Sequence, residues 1–162
     1  AFNRDQGKPV YADANSSLRV AVGHVKGYSP QDGLQAEPFT RLEGILAKDT
    51  GVDPFDSPTK QLELIKQKQY GDFYLEAIDS VPVNFLSTLD TTGGNSGSPT
   101  LNGRAELVGL LFDGVYESII GDWGYDPETN RSIQVDSRYM LWVMKHVDKA
   151  DRLLDEMELV YE

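Results

Sequence analysis

The stretch Thr91-Thr92-Gly93-Gly94-Asn95-Ser96-Gly97-Ser98-Pro99 combines the residue types that acyl-transfer chemistry needs. A serine attacks a carbonyl only when its hydroxyl stands on a tight, exposed turn and nearby backbone N–H groups hold the oxyanion that develops. Gly94, two positions before Ser96, lets the chain turn its amide inward, so that the N–H groups of Gly94 and Ser96 can converge on one oxygen. Gly97 leaves room beside the hydroxyl. A Gly/Ser/Asn cluster is by itself an ordinary flexible loop. Here a strand pattern precedes it, and Ser98-Pro99, a turn at Asn102-Gly103 and the run Leu107-Val108-Gly109-Leu110 follow. That is the order expected of a nucleophile loop set into a sheet.

A serine hydroxyl is a weak nucleophile until a base takes its proton. The chain has 2 histidines, His24 and His146. His146 falls one residue from the apolar stripe of a helical pattern, the ordinary place for a half-exposed histidine. His24 follows a strand pattern and a glycine. Too few residues separate it from Ser96 to complete one barrel and begin a second, since each strand takes about 5–6 residues plus its loop. Neither histidine is therefore expected to be the base. The start at Ala1, with no initiator Met and no targeting segment, is read as either a removed leader or a piece cut from a longer chain.

Other chemistry is less well supported. With no cysteine there is no disulfide framework, no thiolate nucleophile and no Cys-based zinc site. Asp122, Asp126, Glu128 and Asn130 gather oxygen ligands in the loop 122–130 but lack the spacing of a calcium-binding helix–loop–helix, so a solvated acidic loop is expected there. No metal or other cofactor is called for. Asn15-Ser16-Ser17 and Asn130-Arg131-Ser132 match a glycosylation pattern, to which little weight is given. Asn95 carries no charge, so activation by a new N-terminus paired to it is not expected. Trp142 beside Met140 and Met144 suits packing better than ligand binding. The 26 acidic against 15 basic residues leave a net charge of −11, which opposes a nucleic-acid-binding face. No apolar run approaches the roughly 18–20 residues of a membrane span.

The elements that must position Ser96 are mostly strands. Leu18, Val20 and Val22 alternate with Arg19, Ala21 and Gly23, predicting a half-buried strand. Phe39 to Lys48 suits a strand or a helix, and Gly44 in its middle, costing a helix about 1 kcal/mol, favours the strand. Ser57-Pro58 predicts an N-cap followed by Pro at the first helical position, opening a surface helix over about 57–70 that Gly71 stops. Val81, Val83 and Phe85 alternate as a strand. Asn102-Gly103 predicts a two-residue hairpin turn, and Leu107 to Phe112 a buried strand. Ile119-Ile120 and Ile133 to Val135 predict two further short strands. Met140, Val143, Met144 and Val147 then mark an amphipathic helix, part of C-terminal helices over about 137–158. Strands first and helices last, without βαβ alternation, predict an antiparallel barrel or sandwich ending in a helix.

Thr91 to Pro99, the segment Gly109-Leu110-Leu111-Phe112-Asp113-Gly114, and Val135-Asp136-Ser137-Arg138-Tyr139 with the helix after it resemble the C-terminal region of the bacterial dipeptidyl-peptidase 7/11 family. Asp13-Ala14-Asn15-Ser16-Ser17-Leu18-Arg19 and Val25-Lys26-Gly27-Tyr28 are similar to it as well, so the resemblance runs over nearly the whole chain. It implies a mainly β chain: residues 1–162 as a single C-terminal domain, the trypsin-like second barrel of a two-barrel serine exopeptidase, with a surface helix and a C-terminal helix. The family's histidine and aspartate would lie in an N-terminal region outside this sequence. Its N-terminal barrel and inserted helical domain would be partners within one enzyme, and a homodimer is compatible with the resemblance. A periplasmic or cell-surface location in a Gram-negative bacterium follows from it too.

By the same resemblance Ser96 is the nucleophile, the Gly94 N–H belongs to the oxyanion hole, and Asp113 binds the free N-terminal ammonium of a peptide that loses a dipeptide. Gly114 stands where the acidic-specific branch carries an arginine, which implies a preference for apolar residues beside the cleaved bond. Isolated residues 1–162 would be inactive for lack of the base. Two other readings stay open at this point: a compact trypsin-like endopeptidase with His24 as base, and a catalytically silent protease-like module that binds chain termini.

Overall fold

In the computed structural model, residues 6–7 and 18–161 are described, apart from the Asp122 side chain. Asp13 to Ser17, including the Asn15 glycosylation pattern and most of one segment that carries the resemblance, lie outside the described residues.

Five strands, β1 (Phe39–Arg41), β2 (Pro82–Ser87), β3 (Pro99–Leu101), β4 (Leu107–Gly114) and β5 (Ser132–Asp136), form one mostly antiparallel sheet in the order β1-β2-β5-β4-β3. β1 pairs with β2 through Phe39 opposite Phe85 and Arg41 opposite Pro82, with an irregularity between. The helices are α1 (Leu42–Lys48), α2 (Thr59–Lys66), α3 (Ser137–Trp142) and α4 (Asp151–Asp155), with a π turn Val143–Val147 after α3. Among the described residues no helix is long and apolar enough to cross a membrane.

The chain packs as two compact units. One comprises Ala1–Pro38, Leu86–Thr100 and Leu110–Gln134; the other Phe39–Phe85, Leu101–Gly109 and Val135–Glu162. The second holds an apolar core in which Leu42, Leu64, Ile65, Phe73, Val81 and Trp142 are buried. Trp142 also donates its indole N–H to the Gln69 carbonyl at 2.8 Å, so the large ring is buried without an orphaned donor. α3 is capped by Asp136, whose carboxylate accepts from the Arg138 N–H at 2.9 Å and grips the Arg138 guanidinium at 2.9 and 2.8 Å.

Several expectations need correction. Phe39 to Lys48 is a strand only as far as Arg41; from Leu42 it is helix, because Leu42, Ile45 and Leu46 fall on one face and pack into the core. That burial outweighs the cost of Gly44. α2 begins one residue later than the Ser57 cap implied, with Pro58 at the cap position, while the Ser57 N–H donates to the Asp49 carboxylate at 3.0 Å. The alternating Leu18, Val20 and Val22 form no strand and are all exposed; only Val25 bridges, to Ser87. In β4 just Gly109 and Leu111 are buried, whereas Leu107 and Phe112 are exposed.

The turn between β3 and β4 is longer than two residues. Asn102 donates its N–H to the Glu106 carbonyl, its side-chain oxygen accepts from the N–H groups of Arg104 and Glu106, and Ala105, at φ 63°, takes the left-handed position. Ile119-Ile120 lies in a 3-10 turn, Tyr116–Asp122, and both side chains are exposed. The predicted β5 and C-terminal helices are present, the latter interrupted at Lys149, where φ is 56°.

Candidate active site

Ser96 sits in a loop whose backbone is tied on both sides. Asn95 donates its N–H to the Thr92 carbonyl at 3.2 Å, and its side-chain oxygen accepts the Thr92 N–H at 3.1 Å. The Ser98 N–H reaches the Asn95 carbonyl, and Gly97 and Ser98 clip the loop to Leu111 of β4 by bonds of 2.7 and 3.0 Å. Asn95 thus closes the turn with a neutral side chain. Gly94 and Gly97 take φ of 91° and 82°, values that favour glycine and let the chain reverse around Ser96. Among the described residues, the N–H groups of Gly94 and Ser96 donate to nothing. These are the two donors expected to hold an oxyanion.

Ser96 lines a cavity of about 300 Å³ together with Asp113 and Gly114, both at the end of β4. The structure therefore brings together three of the four site residues expected from sequence. Gly94 is the fourth; it does not line the cavity, whereas its neighbour Gly93 does. Asp113 is exposed, not buried as a dry ammonium site would require, and one carboxylate oxygen accepts the Gly114 N–H at 2.8 Å. Its other oxygen has no partner among the described residues.

Three lining residues were not anticipated from sequence as site residues. Asp90 is partly buried, makes no hydrogen bond or ion pair within the described residues, and is pushed above the usual carboxylate range by that burial. Arg131 is 1% exposed. Its guanidinium is spent on backbone carbonyls: Lys26 and Gly27 on one side, Pro127, Glu128 and Asn130 on the other, at 2.6 to 3.3 Å. It lies over the Tyr28 ring, whose hydroxyl donates to Glu117 at 2.7 Å; burial first, and then Glu117, push that phenol up to about 12. The third is Asn130, noted in the sequence only within the acidic loop 122–130 and a glycosylation pattern.

The histidines lie elsewhere. Neither lines the cavity. His24 is exposed; its N–H donates to the Thr88 hydroxyl oxygen and its carbonyl accepts the Thr88 N–H, both at 3.0 Å. His146 packs edge-on against Phe73 and tilted against Trp142, and burial, followed by Lys149 and Lys145, pushes it below its usual range. The acidic loop closes on itself: the Asp126 carboxylate accepts the Glu128 N–H and the Thr129 hydroxyl. Those bonds, the Glu128 N–H first, hold Asp126 below the usual carboxylate range. Among the described residues no cluster of metal-ligating side chains occurs.

The sequence matches the family model described as peptidase S46 over residues 1–159. It is 47% identical to an Asp/Glu-specific dipeptidyl-peptidase of Shewanella putrefaciens over 94% of this chain and 24% of that protein. Against a dipeptidyl-peptidase 7 of Phocaeicola vulgatus it is 42% identical, covering 94% of this chain and 21% of that one. The crystal structure of Porphyromonas endodontalis DPP11 in complex with the dipeptide Arg-Asp superposes with a TM-score of 0.90 at 37% identity, over 99% of this chain and 23% of that chain. The chain thus spans less than a quarter of the length of these relatives.

Proposed function

The chain belongs to the peptidase S46 family, and from that premise we propose that it carries the nucleophile loop of a serine dipeptidyl-peptidase, with Ser96 attacking the second peptide bond of a substrate that has a free N-terminus. The observation that carries this reading is the pair of unspent N–H groups at Gly94 and Ser96, on the loop whose serine lines the cavity. Ser96 Oγ forms a bond to the carbonyl carbon, the carbonyl electrons move onto oxygen, and the two N–H groups receive that charge. The hydroxyl proton passes to a base that neither histidine supplies, since His24 and His146 stand away from the cavity lining. In this proposal the base, the other barrel and a helical domain come from the remainder of the enzyme, and the sheet described here is part of a trypsin-like second barrel. Residues 1–162 alone are then inactive, and turnover lost in His24→Ala would instead favour the compact endopeptidase. Action in the periplasm or at the cell surface belongs to the same proposal and is checked by fractionation.

Asp113 is the proposed ammonium ligand through its unspent oxygen. Because the carboxylate is exposed, it holds the ammonium as a solvated ion until peptide covers it. In the full-length protein, Asp113→Asn should lower kcat/KM about tenfold for free-amine dipeptidyl substrates and leave N-acetylated ones unchanged. Equal discrimination by both proteins would remove this role and leave Asp113 as the residue that closes the turn on Gly114.

The apolar preference expected from Gly114 is not supported by the comparisons. The relatives' names divide, and the Shewanella protein at 47% identity is called Asp/Glu-specific. That expectation is withdrawn, and paired kcat/KM values on substrates differing only in the residue before the cleaved bond decide the preference.

A further inference from the structure

Resting on that reading of the cavity, we propose that Asn130 is a substrate-binding residue whose side-chain amide pairs with a main-chain amide of the bound peptide. Asn130 is 4% exposed and lines the cavity with Ser96. Its Oδ1 is the one buried side-chain polar atom without a hydrogen-bond partner among the described residues. Its Nδ2 has no partner there either. Buried polar groups are nearly always satisfied, and a primary amide has donors at one end and an acceptor at the other.

The surroundings make this unusual, because the residues beside it in the chain are paired. The Asn130 N–H donates to the Asp126 carbonyl, and its carbonyl accepts from Arg131 at 2.6 Å. Thr129 bonds Asp126, and the Arg131 N–H donates to Ser118 Oγ. The backbone at 130 is therefore fixed while the side chain is left unspent at the cavity wall. Such an amide is complementary, donor to acceptor at both ends, to a peptide group. A structural role within the described residues would have used at least one end on them.

The test uses the full-length protein and the near-isosteric Asn130→Leu. Removing a buried group that bonds nothing inside the protein should leave the thermal midpoint unchanged or raised. KM for a free-amine dipeptidyl substrate should rise about tenfold, the size of one hydrogen bond left unmade in a dried site, with kcat within about twofold. Reaction of Ser96 with a small fluorophosphonate, which makes no peptide contact, should be unaffected. A fall in the midpoint with KM unchanged would overturn the proposal. If the leucine variant does not fold, Asn130→Ala gives the same split between KM and kcat. Calorimetric binding of a dipeptide to Ser96→Ala, with and without the Asn130 change, reads the contact whether or not Ser96 attacks. Equal affinities there would end the proposal, whereas an unlabelled Ser96 in the parent protein would end only the catalytic reading.

Discussion

Arg131→Met in the full-length protein removes a cation that joins two separate stretches of chain beside the cavity. The guanidinium is 1% exposed and bonds the carbonyls of Lys26, Gly27, Pro127, Glu128 and Asn130. Methionine fills the space but leaves five carbonyls without their donor, the Asn130 one fully enclosed and the other four partly so, and an orphaned buried acceptor costs about 1–3 kcal/mol. Against that stands the relief of no longer burying a charge, which is several kcal/mol. The net expectation is a local destabilisation of about 3 kcal/mol, in the range for breaking a buried charged network. Since about 1.4 kcal/mol is tenfold, backbone amides that close this region should exchange about 100-fold faster. Val115, whose N–H bonds the Arg131 carbonyl, and Asn130, bonded to Asp126, are the reporters. Hydrogen exchange read by mass spectrometry over residues 115–131 makes the measurement. Arg131→Lys, with three donors and no planar fork, should recover only part of the protection. Exchange unchanged in Arg131→Met would refute the account of this residue.

Gly109→Ala should lower the thermal midpoint, since a Cβ there would sit 2.6 Å from the Val135 carbonyl oxygen and 2.7 Å from Phe85 Cε1; overpacking of this kind costs about 1–3 kcal/mol. Asp90→Asn should raise the midpoint at pH 7. Burial holds the Asp90 carboxyl above its ordinary range, so its destabilising effect is absent when it is protonated in both folded and unfolded chains and grows as pH rises through the raised folded value. The gain should therefore shrink as pH is lowered from about 7 toward 4, and a gain independent of pH would contradict this.

How much was legible in the sequence follows from how local each determinant is. The loop around Ser96 could be read because Gly94 and Gly97 act through their own backbone conformation. β5 could be located from Ile133 to Val135, although the side chains it buries are the polar Ser132, Gln134 and Asp136; the helix after it could be read because Val143 and Val147 pack against the core. The alternation at Leu18, Val20 and Val22 carried the same signal but forms no ladder, since a strand exists only where a partner offers its edge and Val25 alone finds one. Ile119-Ile120 looked like a strand, yet Ser118 exchanges bonds with the backbone of Arg131, and the chain there coils into a 3-10 turn. Arg131 and Asn130 could not be recognised at all. Arg131 is enclosed through carbonyls of Lys26 and Gly27, over a hundred residues away in the chain, and nothing local marks either polar residue as enclosed.

The central claim is that Ser96 is an activated nucleophile, and its most direct test is a fluorophosphonate reaction with the full-length protein followed by mass mapping of the adduct. One modification is expected, on Ser96, with loss of both labelling and dipeptide release in Ser96→Ala. An adduct on another residue, or a Ser96→Ala protein that keeps more than about a tenth of its kcat/KM, would contradict it.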